Sequence, residues 1–185
     1  MTVTDVNVVK SAIFERPDDA NKGTLGSLLC VCGSYGMAGA AVMSAKGALR
    51  TGIGLAKCAL PRSIYPIVAQ TILESVYYPL SENADGRISK VNVPFLVSES
   101  CKSSATLIGC GLGVCDDTLK IVLSLIENST TPLVLDADAL NCVAKQPEIL
   151  LRKKAPIIIT PHPGEMSRLT GLATPLVNAE RERVA

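Results

Sequence analysis

Ala155-Pro-Ile-Ile-Ile159, running directly into Thr160-Pro161-His162-Pro163-Gly164-Glu165-Met166, is the stretch from which the fold is read. A branched apolar run that ends in Thr-Pro is a buried strand reaching its carboxyl end. Proline cannot continue a central hydrogen-bonded ladder, and glycine permits a sharp exit. The spacing predicts a strand over 155–160 and a helix over 164–170. Ligands of open parallel sheets bind outside the carboxyl ends of the strands. His162, the single histidine of the chain, therefore sits where an imidazole has a reason to be polar and accessible. Capping of the following helix is an equally good account of it, because polar groups in turns often only satisfy backbone.

Outward from this motif, short β-like runs alternate with longer helix-like ones. Strands are expected over 28–32, 54–60, 75–78, 105–109 and 132–136, and helices over 38–50, 62–70, 93–100 and 116–127. Between them, residues 81–90 are polar and carry the Asn83-Ala-Asp85-Gly86 turn signal. Strands joined by helical crossovers imply a parallel sheet covered on both faces, with right-handed connections. Residues 178–185 have helical composition with charges of both signs and no Gly or Pro terminator, as though cut within a helix.

Composition agrees with one α/β domain over 1–185. The chain is 48% hydrophobic and only 3% aromatic, with 14 glycines, which suits closely packed layers. A net charge of +1 supplies no field that would draw it to nucleic acid or an acidic membrane. No apolar segment is long enough to span a bilayer, and Asp5, Glu15, Asp18 and Asp19 break up any apolar leader, so a cytoplasmic location is expected. The seven cysteines lack a CxxC pair and read as buried free thiols. Cys30 and Cys32 share a strand face but have no third ligand nearby for a metal.

Three further loops carry chemistry. Gly33-Ser-Tyr-Gly-Met-Ala-Gly39-Ala40-Ala41 lies between a strand and a helix, where backbone amides and the helix dipole can receive phosphate. It is neither a Walker loop nor GxGxxG, so a simple packing turn competes with that reading. Gly109-Cys-Gly111-Leu-Gly113 leaves another strand and lets a ligand approach main chain. Asp136-Ala-Asp138 ends a third strand. Asp136 is at the tip and has the stronger functional claim, whereas Asp138 is expected to cap the following helix.

With these loops in hand, the chain resembles the bacterial ADP-dependent NAD(P)H-hydrate dehydratases of the ribokinase-like superfamily. The matching stretches are Lys22-Gly-Thr-Leu-Gly26, 33–41, Ala48-Leu-Arg-Thr-Gly-Ile-Gly-Leu55, 109–113, 136–141 and Thr160-Pro-His-Pro-Gly-Glu165. Asn21 and Cys110 depart from the residues common in that family, histidine and proline respectively. The resemblance implies a ribokinase-like α/β fold, with a mainly parallel sheet covered by helices on both faces. It also implies repair of NADH or NADPH hydrated on the nicotinamide ring. The phosphoryl group of ADP, or of ATP, passes to the ring hydroxyl with Mg²⁺ neutralising the phosphates; phosphate then leaves and, where ADP is used, AMP remains.

By the same resemblance, Gly39, Ala40, Gly111, Asp136 and His162 would line the substrate pocket, with no protein-held metal, and the protein would be a homo-oligomer, expected as a homotetramer. The family's catalytic Asp, in a Gly-x-Gly-Asp motif, has no counterpart after Glu165, so the chain is expected to be truncated before its nucleotide-binding part. A vitamin-precursor kinase of the same superfamily and a non-catalytic dinucleotide-binding fragment are the alternatives.

Overall fold

Strict alternation in β1 (Ser27–Val31) sends Leu29 and Val31 into one apolar layer and Leu28 and Cys30 into another, so this strand is packed on both faces. The structure is a computed structural model and describes residues 18–21 and 23–185. Lys22 of the 22–26 match, and the part of the leader argument that rests on residues 1–17, lie outside them. After β1 come α1 (Ala38–Arg50), β2 (Leu55–Pro61), a 3-10 turn (Arg62–Ile64) with α2 (Tyr65–Thr71), and β3 (Val76–Leu80). A 3-10 turn (Lys90–Asn92), α3 (Val93–Cys101), β4 (Ala105–Ile108), α4 (Asp116–Asn128), β5 (Leu133–Leu135) and α5 (Asp138–Val143) follow. The last elements are a 3-10 segment (Pro147–Arg152), β6 (Ile157–Ile159), α6 (Pro163–Thr170), α7 (Thr174–Ala179) and α8 (Arg181–Val184).

The sheet order is β3-β2-β1-β4-β5-β6, and every neighbouring pair is parallel. Growing outward from β1 to β3 and then restarting on the other side of β1 creates a reversal between β1 and β4. Open parallel sheets take ligands in the crevice outside the carboxyl edge at such a reversal. One apolar layer packs α3, α4 and α5 against Leu29, Val31, Ile108, Leu133 and Leu135. The other packs Ala41 and Ala45 of α1 and Val68 of α2 against Cys30, Ala56, Cys58 and Leu60. At the β6 edge cover is incomplete, and Ile158 is 61% exposed.

Where boundaries differ from expectation, the chemistry is local. The strand expected over 155–160 pairs only over Ile157–Ile159, since Pro156 has no amide to donate. The strand expected over 75–78 instead runs Val76–Leu80, with Pro79 tolerated because β3 is an edge strand. The helix expected over 62–70 splits into a 3-10 turn and α2, with Pro66 in the first turn of α2. The charged tail is divided between α7 and α8. Asp138 does not cap α5: it is the first helical residue, and Ala137 occupies the cap position without any side-chain bond.

Candidate functional site

At the reversal, the β1 and β4 exits are bonded to each other. Gly33 N donates to Cys110 O at 2.8 Å, and the buried Ser34 hydroxyl donates to Gly111 O at 2.8 Å. The first turn of α1 closes against this joint. A Cβ placed on Gly111 would lie 2.6 Å from Ala40 Cβ, so a side chain there would push α1 away. Gly39 is exposed and faces open space. The α1 amino terminus has no side-chain cap and no acidic residue in its first turn, which leaves a 13-residue helix presenting its positive end to the crevice.

Asp136 lies between the β4 and β6 exits. Its two carboxylate oxygens accept from the Cys110 thiol at 3.2 Å and from the Thr160 hydroxyl at 2.9 Å. Asp138 reaches back instead, accepting from Gly113 N at 2.8 Å, which fixes the end of the 109–113 loop. The intervening Ala137 has φ 48°, a conformation disfavoured for any side chain. Gly109 explains the tight fit, because a Cβ there would sit 1.8 Å from Asp136 O. Residues 33–41, 109–113, 136–141 and 160–165 thus meet at one sheet edge, as parallel strands require.

His162 is an N-cap. Its Nδ1 accepts from Gly164 N at 3.0 Å and Glu165 N at 3.4 Å, while the buried Glu165 carboxylate accepts from His162 N at 2.9 Å. With Nδ1 engaged as acceptor, the neutral ring carries its proton on Nε2, which lies 3.2 Å from Glu165 Oε1. The side chain is nonetheless 62% exposed. Of the five candidate residues, Ala40 and Gly111 are in contact and Asp136 is joined to Gly111's neighbour Cys110. His162 follows Thr160 closely in the chain but bonds only to its own helix.

Sequence reasoning missed Thr160, and it read the 83–86 turn as a turn alone. That turn reaches across the crevice: Tyr35 N donates to Gly86 O at 2.9 Å, and Arg87 packs on Gly113. Nothing in the sequence signals a pairing of positions so far apart. Beside Pro161 and Pro163, an apolar cleft of about 370 Å³ is lined by Ile159, Met166 and Val177, but by none of the five candidate residues. Among the described residues, no three of His, Cys, Asp or Glu come together in a way that could hold a metal ion. Nor, among them, is any helix long and apolar enough to cross a membrane.

Comparison with known proteins gives this geometry a context. A family model described as NAD(P)H-hydrate dehydratase matches residues 28–185. The bifunctional NAD(P)H-hydrate repair enzyme of Thermofilum pendens is 37% identical over 90% of this chain and 32% of its own length. The ADP-dependent (S)-NAD(P)H-hydrate dehydratase of Neisseria meningitidis is 31% identical over 90% of this chain and 53% of its own. The Bacillus subtilis ADP/ATP-dependent NAD(P)H-hydrate dehydratase, crystallised with ATP and Mg²⁺, superposes with a TM-score of 0.78. It is 29% identical, with 97% of this chain and 59% of that one covered. The chain therefore spans about a third of the bifunctional relative and a little over half of the single-function ones. Its α/β architecture is that of the ribokinase-like proteins.

Proposed function

We propose, from the premise that this chain belongs to the NAD(P)H-hydrate dehydratase family, that it supplies the substrate-binding part of a nucleotide-dependent dehydratase restoring NADH or NADPH from their hydrates. The observation that carries this reading is the Ala40–Gly111 contact across the strand-order reversal, with Asp136 tied beside it. The dinucleotide lies along the two glycine-rich exits, its pyrophosphate at the uncapped amino end of α1. Gly39, exposed with open space beside it, admits the dinucleotide, Gly111 lets α1 seat against the β4 exit, and Asp136 braces the pocket through Cys110 and Thr160. His162 contacts the substrate with its exposed imidazole, donating from Nε2 in exchange for Glu165.

The chemistry is a carbon–oxygen lyase reaction. A phosphoryl group from ADP, or from ATP, converts the ring hydroxyl into a leaving group, and loss of phosphate restores the dihydronicotinamide; ADP is left as AMP. Catalysis of such a transfer is mainly positioning and charge stabilisation. Any Mg²⁺ is read as accompanying the nucleotide phosphates. The protein is read as one ribokinase-like domain, cytoplasmic, and assembled as a homo-oligomer, expected as a homotetramer. Exposed Met43, Ile67 and Leu73 are apolar surface of the kind oligomers bury.

Calorimetric titration of the purified chain with NADH hydrate and NADPH hydrate tests this reading. Saturable binding is expected, and it should be lost in Gly111→Val. Return of dihydronicotinamide absorbance on adding ADP and Mg²⁺ tests the chemistry in a polypeptide that also carries the family's Gly-x-Gly-Asp segment. A folded chain that binds neither hydrate would overturn the assignment.

A further inference from the structure

A group of thiols lies in the apolar layer beneath α1, beside the strand-order reversal. Cys30 of β1 and Cys32 just beyond its end are buried in that layer, Cys30 lies directly across from Cys58 of β2, and Cys110 packs against the same layer from the β4 exit. The Gly33–Cys110 backbone bond holds the residue after Cys32 against Cys110.

Their surroundings differ in the way an attacking and a resolving thiol require. Cys110 is partly exposed at the crevice, with its sulfur 3.2 Å from Asp136 Oδ2, whereas Cys32 is fully enclosed. The neighbouring Cys32, with Ser44, draws the Cys110 thiol below its ordinary range, against burial and the Asp136 carboxylate, which both push it up. The neighbouring Cys110 and burial push the Cys32 thiol up. Among the described residues no metal-binding group of three forms here, and all seven cysteines are free.

We propose that Cys110 and Cys32 form a peroxide-responsive dithiol in which Cys110 is oxidised first and Cys32 closes the disulfide. The Cys110 thiolate attacks the peroxide O–O bond, giving a sulfenic acid and releasing the second oxygen as hydroxide, or as an alcohol from an organic peroxide. Cys32 then attacks the Cys110 sulfur. The S–S bond forms as the S–O bond breaks, and the sulfenic oxygen leaves as water with the Cys32 proton. Cys110 thereby gives up its bond to Asp136, and the β4 exit becomes pinned to β1 across the crevice. A dithiol reductant reverses the step. The inference stands on the thiol arrangement and does not depend on which ligand the crevice takes.

The test treats the reduced 185-residue chain with hydrogen peroxide, blocks remaining thiols with N-ethylmaleimide, and maps unreduced peptides by mass spectrometry. The expected product is a Cys32–Cys110 cross-linked peptide lacking two hydrogens, predominant in buffer, dispersed among other pairings in urea, and lost on adding dithiothreitol. In Cys32→Ala, Cys110 should stop at the sulfenic acid and be labelled by dimedone. A Cys32–Cys110 link no more abundant in buffer than in urea, or dimedone labelling in Cys32→Ala that spares Cys110, would overturn the proposal.

Discussion

Gly109 and His162 show how much of the site rests on single residues. A methyl group at Gly109 would meet the Asp136 carbonyl, and the backbone there has φ 127°. Gly109→Ala combines overpacking with backbone strain and is expected to cost roughly 3 kcal/mol or more, read from a lowered denaturant midpoint. An unchanged midpoint would mean that the 109–113 loop can move aside freely. His162→Ala removes the acceptor for two α6 amides and should cost about 1 kcal/mol. Asparagine caps well, so His162→Asn is expected to recover that stability without recovering binding of the hydrated dinucleotide. Recovery of both would show that the imidazole is only a cap.

At the scale of elements, α3 is fastened to its neighbours by two polar clusters. Ser100 bonds Thr106 of β4 at 2.9 Å and Ser129 after α4 at 2.8 Å, all three buried. The Glu99 carboxylate meets Lys102 at 2.9 Å, Tyr78 of β3 at 3.1 Å and Lys57 of β2 at 3.8 Å. Lys102 first, then Tyr78 and Lys57, hold the Glu99 carboxyl below its ordinary value of 4.5. A group whose folded value is lowered stabilises the fold fully above its unfolded value, and that contribution fades as pH falls through the folded one. Stability measured by urea unfolding should therefore drop below about pH 4.5, and Glu99→Gln should lose that part of the slope. Parallel pH profiles for the two proteins would remove Glu99 from the account.

For the whole molecule, the strand order sets a gradient of protection. β1 and β4 are central and packed on both sides, whereas β6 is an edge with Ile158 exposed. Hydrogen exchange should be slowest at Leu29, Val31 and Ile108 and much faster at Ile158 and Ile159. Equal protection of β6 in the isolated chain would mean that its open face is covered by a second copy. The same order places the crevice where the central strands part, so the best protected part of the sheet carries the site loops.

What the sequence determined by itself was whatever depends on neighbours in the chain. The α1 limits, Ala38–Arg50, follow from helical periodicity and agree with the structure. Each strand of the parallel alternation was also present, and the glycine-rich exits were visible because only glycine suits such turns. Tertiary structure decided how the exits use their side chains. Asp138 read locally as a cap, yet its carboxylate holds Gly113, whose position is fixed by a different strand. Thr160 read only as the end of a strand, although it braces Asp136, and the 83–86 turn carried no sign that it meets Tyr35. Local propensity is written in adjacent residues, whereas these bonds exist only after the β1, β4, β5 and β6 ends have been brought to one edge by sheet order.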